Sequence, residues 1–368
     1  MRRKRAVVLT LVTFVLWKLA VYFSAHFPCR KAALSDLCAE WSDGDEVEGD
    51  WCFNLCNAVK SCHGVPHFGK ELVVGISGPF GEAVAKGRHA DYRDSVDSEL
   101  RLDPTNPTKD FQKRMALRLS DFQKTNQFNL LITDGLEPDT SSNSQRLHFL
   151  QMMNQREFVW SFLYSQSGDA SPFPLLRGTC GHVYIVEKSQ RELNFVNELP
   201  IREKLKALVK VADLIVMLDE MNVEVCDFKW EHFGLFYKEN SNPSESNEDF
   251  VVKLLDLDAV FSRHSLGVTM GNYHCTTDED CDFFDCKGRC IKGDGLRKST
   301  CVPSTVDSNI KRFLKMVSPS FFPPRRSLFW NVDDPDMLNY IHQCSSSECE
   351  PRQLRHLLQT TIGKLDPS

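Results

Sequence analysis

Fourteen cysteines, none of them before position 29, set the strongest limit on what this chain can fold into. Cys275, Cys281, Cys286, Cys290 and Cys301 crowd one short stretch, yet no two of them are separated by only two residues, the common structural-zinc spacing. Zinc is therefore not expected. An even number of thiols in an oxidising compartment forms a disulfide framework, and a stem such as Cys29 to Cys62, with the acidic turn "SDGDEVEGD" and few apolar residues, needs such staples.

The N-terminus supplies the compartment. Arg2, Arg3, Lys4 and Arg5 precede an apolar run from Ala6 to Phe23, broken only by Lys18. About 18 apolar residues can just cross a bilayer core, with Lys18 snorkelling along its own stem. Basic flanks stay cytoplasmic, so the rest of the chain is expected in the lumen. Bulky Phe23 spoils the small-residue pattern before Ala25, which favours a retained type II signal anchor over a cleaved peptide. No Asn-x-Ser/Thr site free of an intervening proline occurs. The net charge of −6 and the lack of a later basic stripe give no footprint for nucleic acid.

With 368 residues and 42% hydrophobic content, the chain can bury a large core. "ELVVGISGPFGEAVAKG" reads as two strands around a glycine-rich turn, and Phe111 to Phe128 carries apolar residues at helical spacing. "RLHFLQMMNQREFVWSFLYSQ" reads as one helix with a broad buried stripe. "FPLLRGTCGHVYIVEKS" supplies two strands around Gly178 and Gly181. Residues 200 to 220 form an amphipathic helix that starts at a proline. "FGLFY" and "FVVKLLDLDAVF" make a strand pair with a polar insertion, and the chain ends in a helical part. In "ITDGLEPDTSSNSQ", Asp134, Glu137 and Asp139 look like calcium ligands, but Gln145 stands where a bidentate acid is required, so calcium is not expected.

The order of polar residues along these elements suits phosphoryl transfer. Lys86 ends an alternating strand after Gly75, Gly78 and Gly81, and Glu157 follows on a helix; a lysine that positions nucleotide phosphates needs such a glutamate. Asp227 opens "DFKWEH", with Lys229 two residues on: a carboxylate to take the acceptor hydroxyl proton and a cation near the transferring group. Asp256 ends an apolar strand as a candidate metal carboxylate, with Asp258 or Glu231 in reserve. His232 stands where an asparagine is expected, and its nitrogen suits magnesium poorly because magnesium prefers hard oxygen.

The anchor, the cysteine stem, "VAKG", "GTCGHVYIVE", "VCDFKWEHFGL", "LLDLDAVF" and above all "HCTTDEDCDFFDCKGRC" together resemble the divergent protein kinase domain family one, cysteine-rich type II membrane proteins of the endoplasmic reticulum. The resemblance runs over nearly the whole chain. It implies an α+β, bilobal protein-kinase-like fold with a disulfide-rich N-terminal stem and a C-terminal cysteine-rich insertion, preceded by one transmembrane helix. The expected segments are a tail at 1–5, the anchor at 6–25, a lumenal stem at 26–68, an N-lobe at 69–190 with a degenerate EF-hand-like insertion, and a C-lobe at 191–368 whose cysteine-rich segment covers 275–301. It further implies ATP with magnesium or manganese: Lys86, Glu157, Gly78 and Gly81 at the nucleotide, Asp227 and Lys229 at the chemistry, and Asp256, with His232 and Asp258 as weaker candidates, at the metal. The acceptor would be a secretory-pathway protein or glycan. Three readings stay open: an active enzyme, a pseudokinase that binds nucleotide or serves as a scaffold, and a disulfide-rich ligand-binding ectodomain. The third leaves the helix at 200–220 and the Asp227 loop unexplained.

Overall fold

The computed structural model describes residues 34–44, 47–63, 71–88, 102–120, 142–194, 200–237, 250–293, 298–304, 307–321, 335–346 and 349–364. The expected anchor at 6–25, the acids Asp134, Glu137 and Asp139, and Cys29 lie outside these residues. Among the described residues no helix is long and apolar enough to cross a membrane.

The chain divides into two compact units, Met1–Met115 with Glu137–Val159 and Leu175–Lys188, and Ala116–Leu136 with Trp160–Pro174 and Ser189–Ser368. The first is built on a five-stranded antiparallel sheet. Helix α1 (Ser35–Ser42) leads through a short π-turn to β1 (Ser61–His63), β2 (Glu71–Gly78) and β3 (Gly81–Arg88); α2 (Pro107–Ser120), α3 (Asn143–Met153), α4 (Arg156–Tyr164), β4 (Leu176–Cys180) and β5 (Val183–Glu187) follow. The strand order is β1-β2-β3-β5-β4. Period-two alternation sends Leu72, Val74 and Ile76 of β2 to one face, where they meet Ala83, Ala85, Val183 and Ile185. Leu37 of α1 and Leu55 complete the same core, so the cysteine stem contributes buried apolar area to the sheet. Cys38–Cys56 and Cys52–Cys180 close it covalently. Gly178 sits inside β4 at a register shift, not in the turn: a Cβ there would come within 2.3 Å of the Trp51 ring.

One expected helix is two. α3 ends at Met153 and α4 starts at Arg156, with Asn154 capping α3 through its backbone and the Gln155 amide donating to the His182 carbonyl at 3.0 Å. The Gln155 backbone N–H turns back to the Met152 carbonyl at 2.9 Å, a tighter bond in place of the helical one four residues back. At the other end, Ser142 and Gln145 form a reciprocal capping box, which gives Gln145 a structural role.

The second unit holds β6 (Arg191–Glu192), α5 (Ile201–Glu220), β7 (Val223–Val225), β8 (Phe233–Tyr237), β9 (Phe250–Leu254), β10 (Val260–Ser262), α6 (Arg263–Gly271), β11 (Gly288–Ile291), β12 (Thr300–Pro303), α7 (Asn309–Phe321), α8 (Pro335–Ser346) and α9 (Pro351–Lys364). α5 begins after Pro200 and turns Leu205, Leu208, Val211, Leu214, Ile215 and Leu218 inward. Three short antiparallel sheets, β6-β8-β9, β7-β10 and β11-β12, fix the loops between them. The cysteine-rich segment is cross-linked as Cys275–Cys290, Cys281–Cys301 and Cys226–Cys286, and Cys344–Cys349 closes the C-terminal part. Six disulfides are therefore present among the described residues.

Candidate functional site

In the first unit the register of the sheet decides which side chains meet. Gly78 pairs with Gly81 across the hairpin, and Lys86 lies directly opposite Tyr184 of β5. Gly81 has φ +84°, and a Cβ on Gly78 would come within 2.7 Å of the Ala58 carbonyl, so the turn itself requires both glycines. Arg177 donates to the Phe80 carbonyl at 3.0 Å and ties the hairpin tip to β4.

Lys86 Nζ donates to Glu157 Oε2 at 2.8 Å, and the Tyr184 hydroxyl donates to the same oxygen at 2.6 Å. Glu157 stands in the first turn of α4, a favourable position for a carboxylate on the helix macrodipole. Both members of the ion pair are largely buried, with side-chain exposures of 13% for Lys86 and 5% for Glu157. Three donors or acceptors thus satisfy one another in a place where an unpaired charge would be costly. Tyr184 was not singled out from the sequence, although a polar-tipped aromatic inside the otherwise aliphatic "VYIVE" is the signal that marks it.

In the second unit β7 delivers Asp227. Its Oδ2 accepts from Lys229 Nζ at 2.7 Å, and this hydrogen bond holds the Lys229 ammonium above its ordinary range. His232 ends a short 3-10 turn, buried, with Nδ1 3.2 Å from the Asp227 carbonyl and Nε2 3.3 Å from Asp256 Oδ2. Glu231 and Asp258 are exposed. The Asp258 amide donates to Asp256 Oδ1 at 3.2 Å, a local turn that aims the Asp256 carboxylate. Leu255 N–H donates to the His232 carbonyl at 2.7 Å and Cys226 N–H to the Ala259 carbonyl at 2.8 Å. Those two bonds zip the Asp227 loop to the Asp256 turn.

Two further residues hold this loop and were missed. Fully buried Asn309, at the start of α7, accepts the Val225 amide proton at 2.9 Å and donates to the Val223 carbonyl at 2.7 Å and to Asp219 at 3.0 Å. Asp285, inside the cysteine-rich segment, accepts from Phe228 N–H at 2.9 Å while its own amide donates to the Cys226 carbonyl at 2.7 Å. The residues on either side of Asp227 are thus both bound to Asp285, and the Cys226–Cys286 disulfide adds a covalent link. The turn that presents Asp285 carries Phe284 at φ +53°, exposed, a conformation that bulky residues rarely adopt. Behind the loop, Glu224 pairs with Arg263 and Arg312, and Arg312 also reaches Asp307. Burial pushes the Asp219 and Asp307 carboxyls up.

A carboxylate held by a lysine, a second carboxylate on a strand end, and a buried lysine–glutamate pair on a five-stranded sheet are the parts that phosphoryl transfer needs. Among solved structures the chain is similar to the BubR1 kinase domain, at 11% identity and a TM-score of 0.34 over 83% of this chain and 80% of that one. It is also similar to vaccinia related kinase 3, at 12% identity and a TM-score of 0.35 over 81% of this chain and 85% of that one. Residues 149–345 match the family described as the protein-kinase domain of FAM69. That match spans more than half of the 368 residues, so the chain carries a divergent kinase-like α+β domain and belongs to the FAM69 protein-kinase-domain family.

Proposed function

We propose that this protein transfers the γ-phosphate of ATP to a hydroxyl of a secretory-pathway protein or glycan, anchored in the endoplasmic reticulum membrane by residues 6–25 with its bulk in the lumen. The observation that carries the reading is the buried Lys86–Glu157 pair at 2.8 Å. A buried lysine kept charged by a glutamate serves no packing purpose that a leucine would not serve better, whereas it suits a phosphate ligand.

The chain's residues divide the work. Lys86, fixed by Glu157, which Tyr184 holds in turn, binds nucleotide phosphates. Asp227 orients the acceptor hydroxyl and receives its proton as the new O–P bond forms and the bond to the ADP oxygen breaks. Lys229, salt-bridged to Asp227, offers a cation beside the charge that builds on the transferring group. A divalent ion held at Asp256 would neutralise charge on the phosphates when bound. The donor set fits such an ion: ligand atoms of Asp227, His232 and Asp256 lie within 4.8 Å of one another.

His232 supports a second reading, a pseudokinase that binds nucleotide without turnover, because it replaces a hard oxygen ligand with an imidazole. A thermal-shift titration with ATP and magnesium or manganese tests both at once. No shift in the unaltered protein sinks both. A shift abolished by Lys86→Met, together with phosphate transfer abolished by Asp227→Ala, supports the enzyme. A shift with no transfer to any secretory protein or glycan leaves the pseudokinase.

A further inference from the structure

The orientation of the His232 ring is fixed by its neighbour. A carbonyl oxygen can only accept, so Nδ1, 3.2 Å from the Asp227 carbonyl, carries the proton. Nε2 is left to face Asp256. It lies 3.3 Å from Asp256 Oδ2, the ring is nine-tenths buried, and ligand atoms of Asp227, His232 and Asp256 lie within 4.8 Å of one another. An imidazole nitrogen and a carboxylate oxygen at this distance are joined by a shared proton or by a shared metal cation. Two ligands at right angles, each about 2.1 Å from a shared metal, stand about 3 Å apart. A metal-ligating histidine characteristically donates its other ring N–H to a carbonyl or carboxylate, which is what Nδ1 does here.

We propose that His232 Nε2 and Asp256 Oδ2 are joint ligands of one divalent ion, and that the imidazole makes the site select manganese over magnesium. Magnesium demands oxygen and dehydrates reluctantly. Manganese accepts oxygen ligands and, standing on the transition-metal series, takes an imidazole as well. A site with one nitrogen and otherwise oxygen donors, including those of a nucleotide, fits manganese on both counts. Asp227 stays with Lys229 and is not needed as a ligand. His232 is then an adaptation to a different ion rather than a lesion in the loop. The inference rests on the reading of Asp256 as the metal carboxylate given above, but not on turnover.

The test uses the full-length chain and manganese chloride as the probe. Pulsed electron paramagnetic resonance of bound Mn²⁺ is expected to show coupling to an imidazole ¹⁴N, and Asp256→Ala is expected to remove the signal. By calorimetry, His232→Asn is expected to weaken manganese binding about tenfold and to leave magnesium within about twofold, the size of loss seen when a ligand environment is disturbed. Absence of ¹⁴N coupling in the unaltered protein overturns the proposal whether or not the variant folds. So does a His232→Asn protein with unchanged manganese affinity. A protein that shows the coupling but transfers no phosphate keeps this inference and loses the enzymatic reading.

Discussion

The Asp285 carboxylate accepts the amide proton of Phe228 at 2.9 Å, one residue past Asp227 and 57 positions away along the chain. Together with the Asp285 amide bond to Cys226, it brackets the candidate base from both sides. Asp285→Ala is expected to lower turnover about tenfold with nucleotide affinity unchanged, while Asp285→Asn, which keeps an acceptor oxygen, restores most of it. Hydrogen exchange over residues 225–232 checks the cause: faster exchange in the alanine variant alone marks a loosened loop, and unchanged exchange removes the positioning role.

Glu157 holds both Lys86 and Tyr184. Glu157→Ala should destabilise the protein by about 3–4 kcal/mol, because it strands a buried ammonium. The double variant Lys86→Met, Glu157→Leu should recover most of that loss, short of the hydrogen bond that the Tyr184 hydroxyl gives up, while losing nucleotide binding. Denaturant melts beside a nucleotide titration read the two effects apart; a double variant as unstable as the single one would place the pair in the fold rather than the function.

The Asn309 side chain makes four hydrogen bonds from a fully buried position, the fourth accepted from Arg312 at 3.3 Å. Asn309→Ala is expected to cost about 2–3 kcal/mol, since the Val225 amide and Val223 carbonyl lose their partner. Asn309→Asp keeps the acceptor for Val225 and Arg312 but loses the amide that donates to Asp219 and sets a second carboxylate beside that carboxyl, which burial already pushes up. That variant should gain stability as the pH falls from 7 to 5, the reverse of ordinary acid destabilisation.

His148 is held neutral by burial, which lowers its pKa from 6.5 to about 4, and its Nε2 lies 3.1 Å from the Thr179 hydroxyl. Below pH 6.5 the unfolded chain takes up a proton that the folded one refuses. The stability this group contributes is therefore complete above 6.5 and is lost as the pH falls towards 4, by roughly 2–3 kcal/mol. His148→Gln should flatten that part of the melting-temperature profile between pH 7 and 4.5. A profile identical to the unaltered protein would show that another group titrates.

Much of the candidate site was legible because its parts sit in local patterns. The alternation of "ELVVGISG" and "GEAVAKG" marks the hairpin that carries Lys86, the apolar stripe of 200–220 marks α5, and the short spacing from Asp227 to Lys229 lets the two pair at 2.7 Å. The residues that were not legible act across long stretches of chain. Asn309 reaches Val225 over 84 positions and Tyr184 reaches Glu157 over 27, and no periodicity records such meetings. The break at Asn154 escaped for a related reason, since the partner of Gln155 is a carbonyl on a distant strand turn. The cysteines announced cross-links but not which of them would grip the Asp227 loop.

That grip has a consequence for how the protein is made. Cys226 and Cys286 are 60 residues apart, and at 5–20 residues per second a ribosome needs roughly 3–12 s to travel between them. Throughout that interval the segment around Asp227 exists with no anchor from Asp285 and without the Cys286 sulfur that Cys226 bonds in the fold. A nascent chain released early, or finished where thiols stay reduced, would contain every residue of the candidate machinery and still lack the brace that sets it. Competence of the Asp227 loop is therefore written into the timetable of synthesis and oxidation as much as into the residues themselves.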